Sequence, residues 1–172
     1  MDLRNLNDDD IVISGIGCKL PQMDNIPQVI EKLLEGSDFI TKNSEKFERV
    51  LNDLPGYEGK IEGVTHFDNT FFGISTAVCQ SMDPYSRLIL ERAFEAVIDA
   101  GLNPAELKQS NACCISSTSF SPYDLNWQAE YIGGYGIMGK NRSMNANRVS
   151  YWLDLKGKIN MKKFGGSLIK RL

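Results

Sequence analysis

Apolar positions along this chain recur most clearly between residues 84 and 99. Leu88, Leu90, Ala93, Phe94, Val97 and Ile98, widened by Ile89 and Ala96, form a helical stripe broad enough to leave little of the helix free of a core. Both ends are written locally. The Asp83 side chain can accept hydrogen bonds from the free N–H groups of the first turn, and Pro84 sits where a missing N–H costs nothing. Gly101 supplies the stop, with Pro104 beyond it. Residues 82–101 are therefore predicted as a mostly buried helix around which the rest of an α/β chain packs.

Upstream, the β-branched run 11–16 predicts a buried first strand that ends at Gly15 and Gly17. A helix follows, opened by Asp24 or Asn25 with Pro27, carrying Val29, Ile30, Leu33 and Leu34 on one side, and closed by Gly36. Residues 41–63, with Asn52-Asp53, Pro55-Gly56 and Gly59, predict a long exposed connection with one helical turn near 47–51, a length that suits covering a site or interface. Phe67, Phe71 and Phe72 are too apolar to leave in water, so residues 66–75 are predicted as a packed loop. Downstream, 112–116 predicts a small-residue strand in mid-sheet, 120–131 a Ser-Pro turn and short helix, and 133–136 a flexible joint. Met144, Val149, Trp152 and Leu153 predict a helix within 141–153, ended by 154–157.

Composition adds limits. With 172 residues, 42% apolar and 24% charged, the chain suits one soluble domain with a real core. The net charge of −3 conceals an asymmetry, because six cations and no acid follow Asp154. That basic stretch lacks interleaved aromatics and reads as a solvated end, so no nucleic-acid partner is expected. No apolar run approaches the roughly 20 residues that span a bilayer, and residues 1–10 are polar and acidic, unlike a signal peptide. A cytoplasmic protein is the expectation.

Candidate chemistry is sparse. Cys18, Cys79, Cys113 and Cys114 lack metal-ligand spacing, and His66 is the single histidine, so no metal site is expected. Cys113 and Cys114 would point to opposite faces of a strand, and the four cysteines read as small buried hydrophobes of a reducing compartment. Gly15-x-Gly17 invites a dinucleotide reading that fails at Leu20, where a third glycine is needed, and no cofactor is expected. The run 116–119 lacks a Gly-x-Ser-x-Gly elbow, with His66 fifty residues away, which weighs against a serine triad.

Taken in order, the landmarks Ile11-Val12-Ile13-Ser14-Gly15, Leu20-Pro21, Phe67-Asp68-x-x-Phe71-Phe72-Gly73, Met82-Asp83-Pro84, Arg87-Leu88-x-Leu90-Glu91, Asp99-Ala100-Gly101 and Ala146-Asn147-Arg148-Val149-Ser150-Tyr151, with Asp154 and Gly157, carry a family resemblance. The chain resembles the N-terminal part of a β-ketoacyl synthase (ketosynthase) domain, most of all that of animal-type multifunctional fatty acid synthases, with type I polyketide synthases next. The resemblance implies a partial thiolase-like fold, the N-terminal half of a ketosynthase, with a mixed sheet and flanking helices. It covers residues 10–157, after a polar extension 1–9 and before a basic tail 158–172 unrelated to the family. Tyr85-Ser86 and Thr76 depart from the usual pattern around an intact helix start.

The family's activity is acyl transfer from an acyl carrier protein to a cysteine, followed by decarboxylative condensation with a malonyl unit. The resemblance places the nucleophile in an Ala-Cys-Ser-Ser turn after the equivalent of Gly157, with two histidines and a lysine later. None of Cys18, Cys79, Cys113, Cys114 or His66 aligns with these, so no catalytic residue is assigned. Phe67, Asp68, Phe71, Phe72, Met82, Asp83, Pro84, Arg87, Glu91, Asn147 and Arg148 are assigned as structural family motif. An acyl carrier domain and a homodimer partner are the implied partners. A fragment of an acyltransferase, inactive alone and poorly soluble, is the expectation; the alternative is a non-catalytic module pairing with a full-length synthase or an acyl carrier domain.

Overall fold

The computed structural model describes residues 10–42, 57–118 and 135–163, with residues 137 and 160–163 described by backbone alone. Five helices and four strands follow in order: α1 Ile26–Leu34, β1 Thr41–Lys42, β2 Tyr57–Glu58, α2 Thr76–Ser81, α3 Pro84–Asp99, β3 Cys114–Thr118, α4 Gly136–Lys140, α5 Met144–Trp152 and β4 Ile159–Lys163, with a 3-10 turn at Pro104–Leu107.

Helix α3 begins and ends where its local chemistry dictates. The Asp83 carboxylate accepts the Tyr85 N–H at 2.8 Å, Pro84 opens the first turn, and Gly101 follows in the left-handed region at φ 75°. Leu90 and Ser86 are the fully buried residues of α3; most of the others are half-buried, and Tyr85, Ile98 and Asp99 are exposed. The helix is thus less enclosed than its broad apolar stripe predicts.

Helix α5 packs across α3. Ala146, Val149 and Leu153 are buried, as is Asn145, whose Oδ1 accepts the Ser86 hydroxyl at 2.6 Å across the helix pair. Phe72, Met82, Leu90, Val149 and Leu153 form the core, with Phe67, Phe94, Trp152 and Leu155 packed against it. The loop 66–75 is packed as its aromatics require.

Helix α5 also packs on β3 and β4, which form a parallel pair from Cys114↔Ile159 to Thr118↔Lys163. The strand predicted at 112–116 therefore begins two residues later. The ladder starts where the Cys114 N–H donates to the Lys158 carbonyl at 3.1 Å, and Gly157 lies beneath the carbonyls of Asn111 and Ala112. Ile115 is 61% exposed, so this strand is not enclosed as a mid-sheet strand would be. Residues 159–163, placed in a tail by sequence, are a strand.

The predicted first strand is corrected. Residues 11–16 join no ladder among the described residues, and Ile11 and Ile13 are 102% and 83% exposed. The β-branched run favours extended backbone, yet a strand needs a hydrogen-bonded neighbour. The segment is tied to α3 instead, by an Ile16 N–H to Asp99 Oδ2 bond of 2.9 Å and by Gly15, set against the Ala96 carbonyl.

Helix α1 starts at Asn25, whose Oδ1 accepts the Gln28 N–H at 3.0 Å, and Gly36 follows at φ 67°. Its stripe is uncovered, with Ile30, Leu33 and Leu34 exposed. Within the predicted connection 41–63, β1 and β2 pair antiparallel; the turn expected at 47–51 lies outside the described residues, as does the segment 120–131. The expected joint at 133–136 ends in helix, since Gly136 opens α4, while residues 133 and 134 lie outside the described residues. Helix α2, capped by Ser75, was not foreseen; it packs on α4, and the Ser81 hydroxyl reaches the Tyr135 carbonyl at 3.0 Å. Among the described residues no helix is long and apolar enough to cross a membrane.

Candidate functional site

The motif residues serve three distinct places. Phe71 and Phe72 meet Trp152 of α5, Phe71 also meets Phe94 of α3, and Phe67 backs Phe72: Phe72 lies 5.0 Å from Phe67 in a stacked pair, and 5.0 Å from Trp152 in a tilted one. Asp68 shapes the loop that delivers them, its Oδ1 accepting the Phe71 N–H at 2.9 Å. Met82, Asp83 and Pro84 set the buried start of α3, while Arg87 and Glu91 lie half-buried further along it. Asn147 and Arg148 sit on α5 and face a groove.

Two concavities flank α5. One, of about 280 Å3, opens beside the carboxyl end of β3 and is lined by Asp83, Tyr85, Ser86, Ser117, Thr118 and Asn145. Asp83, Ser86 and Asn145 are buried there, so its floor is polar although the surrounding core is not. Sequence reasoning missed this floor, because Ser86 and Asn145 are 59 positions apart and neither sits in a recognisable chemical pattern. The other concavity is the open groove, about 860 Å3, bounded by Phe72, Trp152, Leu155 and Arg148.

The four cysteines stand in different settings. A nucleophilic cysteine needs a neighbouring positive charge or helix N-terminus to hold it as thiolate. Burial, and then the neighbouring Cys113, push the Cys114 thiol upward instead. The Cys113 thiol points outward and donates to the Lys158 carbonyl at 2.8 Å, Cys79 lies within α2, and Cys18 precedes α1. The expectation that all four are buried is corrected: Cys113 is exposed, because it precedes the ladder, and the others are half-buried. His66 is exposed on the aromatic loop beside Thr65. Among the described residues no group of three or more metal-ligating side chains comes together.

Residues 8–161 match the family model described as the β-ketoacyl synthase N-terminal domain. The chain belongs to the β-ketoacyl synthase family, of which it represents an N-terminal portion with a thiolase-like fold. It is 37% identical over 151 residues to a fatty acid synthase of Anser anser anser, covering 87% of this chain and 43% of that protein. It is 32% identical over 165 residues to a probable polyketide synthase of Dictyostelium discoideum, covering 90% of this chain and 5% of that protein. Among solved structures, the oxazolomycin ketosynthase domain of Streptomyces albus JA3453 superposes with a TM-score of 0.73 at 26% identity, over 91% of this chain and 29% of that one. A ketosynthase from module 6 of the bacillaene synthase of Bacillus subtilis 168 gives 0.69 at 26% identity, over 88% and 26%. The chain therefore spans less than half the length of these relatives.

Proposed function

We propose that this chain is the N-terminal scaffold of a fatty acid synthase-type ketosynthase, and that it does not load or condense acyl groups by itself. The proposed role is structural. The α3–α5 pair, held by the buried Ser86–Asn145 bond and the Phe72–Trp152 contact, would frame the β3–β4 pair from which a ketosynthase builds its sheet. The reaction served would be acyl transfer from an acyl carrier protein to a cysteine and decarboxylative condensation with malonyl units. An acyl carrier domain and a homodimer partner are proposed for the assembled enzyme. The observation that carries the reading is the match of residues 8–161 to the N-terminal domain of the family; beside it, burial and the neighbouring Cys113 push the Cys114 thiol away from thiolate.

Intact-mass spectrometry after incubation with an acyl-loaded carrier protein tests it. No acyl adduct is expected on the purified chain. A stoichiometric adduct mapped to one cysteine would overturn the reading.

A further inference from the structure

The groove along α5 has a chemical signature that the core does not explain. Its walls are Phe72, Val78, Met138, Trp152, Leu155 and Ile159, and its rim includes Tyr151 at 89% exposure. Arg148 lies in this apolar wall. Its Nη2 donates to the Met138 carbonyl, while its Nη1 is closed off from solvent and finds no acceptor among the described residues. Burial lowers the guanidinium pKa, the direction expected for a cation stripped of water without a counter-charge. Asp154 lines the same groove, but the Gln109 side-chain amide engages its carboxylate. The ion pairs formed among the described residues, Lys19–Asp24, Lys32–Glu35 and Arg92 with Glu91 and Glu95, do not involve Arg148.

A guanidinium inside apolar walls calls for a carboxylate brought by something equally apolar. A small hydrated anion would leave the exposed Met138, Tyr151 and Ile159 of the groove facing water, whereas a polypeptide segment covers them and delivers its acid at a fixed point. Chain of that kind is available in the family, since this chain spans only 29% and 26% of two solved ketosynthases.

We propose that the groove is the docking seat for a polypeptide segment, from a ketosynthase region beyond the matched stretch, that lays apolar side chains along Trp152 and Leu155 and presents one Asp or Glu carboxylate to Arg148. The proposal rests on the scaffold reading above and adds the contact through which the scaffold recognises its partner.

The test uses the full 172-residue chain and overlapping fluorescein-labelled 20-residue peptides (roughly six helical turns each) covering the Anser synthase downstream of the match. One peptide, or one overlapping set, is expected to bind with a rise in anisotropy. Arg148→Gln, and replacement of the peptide's acid by its amide, should each weaken binding at least about tenfold, and the two together no more than either alone. Circular dichroism and the thermal midpoint of Arg148→Gln control for folding. In a second readout, a carbodiimide activates a carboxyl group, which an amine then attacks with release of the urea. The Arg148→Lys chain should therefore cross-link to the peptide's acid at position 148, while the unmodified chain should not.

Failure of every peptide to bind, binding indifferent to Arg148→Gln, or equal binding by peptides without an acid would each overturn the proposal. So would cross-links at position 148 that reach only Asp154. None of these outcomes touches the scaffold reading, which activity of a chimeric enzyme decides independently.

Discussion

Replacing Phe72 by alanine should cost about 3–5 kcal/mol of unfolding free energy, the range expected when a buried aromatic is deleted and its surroundings close only partly. Phe72 is 8% exposed, and its ring contacts converge from three directions: stacked on Phe67, edge-on to Phe71 and tilted against Trp152, each at 5.0 Å. Removing it strips area and aromatic partners from the loop 66–75 and from α5 together, so the loop and the helix should loosen as one unit. Urea denaturation followed by tryptophan fluorescence measures the effect. Tyr151→Ala, at an 89% exposed position one residue before Trp152, is the matched control and should change stability by less than about 0.5 kcal/mol.

Gly157→Ala should be comparably damaging for a different reason. A Cβ at position 157 would lie 2.0 Å from the Ala112 carbonyl oxygen and 2.4 Å from that of Asn111, both backbone atoms that cannot rotate aside. The clash falls directly before the bond from the Cys114 N–H to the Lys158 carbonyl, where the β3–β4 ladder begins. Relief requires the two chains to separate at that end, at a cost of about 1–3 kcal/mol or more if the ladder cannot re-form. Hydrogen exchange should report lost protection across Cys114–Thr118 with α3 unaffected. A methyl at Gly15 would meet the Ala96 carbonyl at 2.1 Å, but that segment carries exposed residues and can lift from α3, so its effect should be smaller.

The contrast between these sites explains what was legible in the sequence. The start and end of α3 and the start of α1 depend on signals within a few residues: Asp83 with Pro84, Asn25 with Pro27, Gly101 after Ala100. Such caps act locally, and the structure realises them. The aromatic loop was legible for another reason, because three phenylalanines close in sequence have to find cover wherever the chain goes. Strand identity was less secure. Residues 11–16 and Cys114–Thr118 both favour extended backbone, but among the described residues β3 has a neighbour to bond and 11–16 has none, and that choice belongs to the whole sheet. Helices α2 and α4 are too short to show a period, and they exist through each other, with Ser81 and Tyr135 joined across 54 positions.

The candidate site divides similarly. The family motif marked Arg148 and Phe72 as structural, but nothing in the motif foretold that Arg148 would keep a nitrogen without an acceptor among the described residues in an apolar groove, since that depends on which carbonyls α4 brings near it. The Ser86–Asn145 bond was likewise invisible until α3 and α5 crossed.

The central claim, that residues 8–161 form a ketosynthase scaffold, is tested most directly by grafting. These residues would replace the matching stretch in the ketosynthase region of the Anser synthase, and malonyl-dependent elongation of an acyl primer would be measured on the purified chimera. Elongation should persist, because the scaffold would position a nucleophile supplied by the host. A chimera that is folded and dimeric yet elongates nothing would contradict the claim.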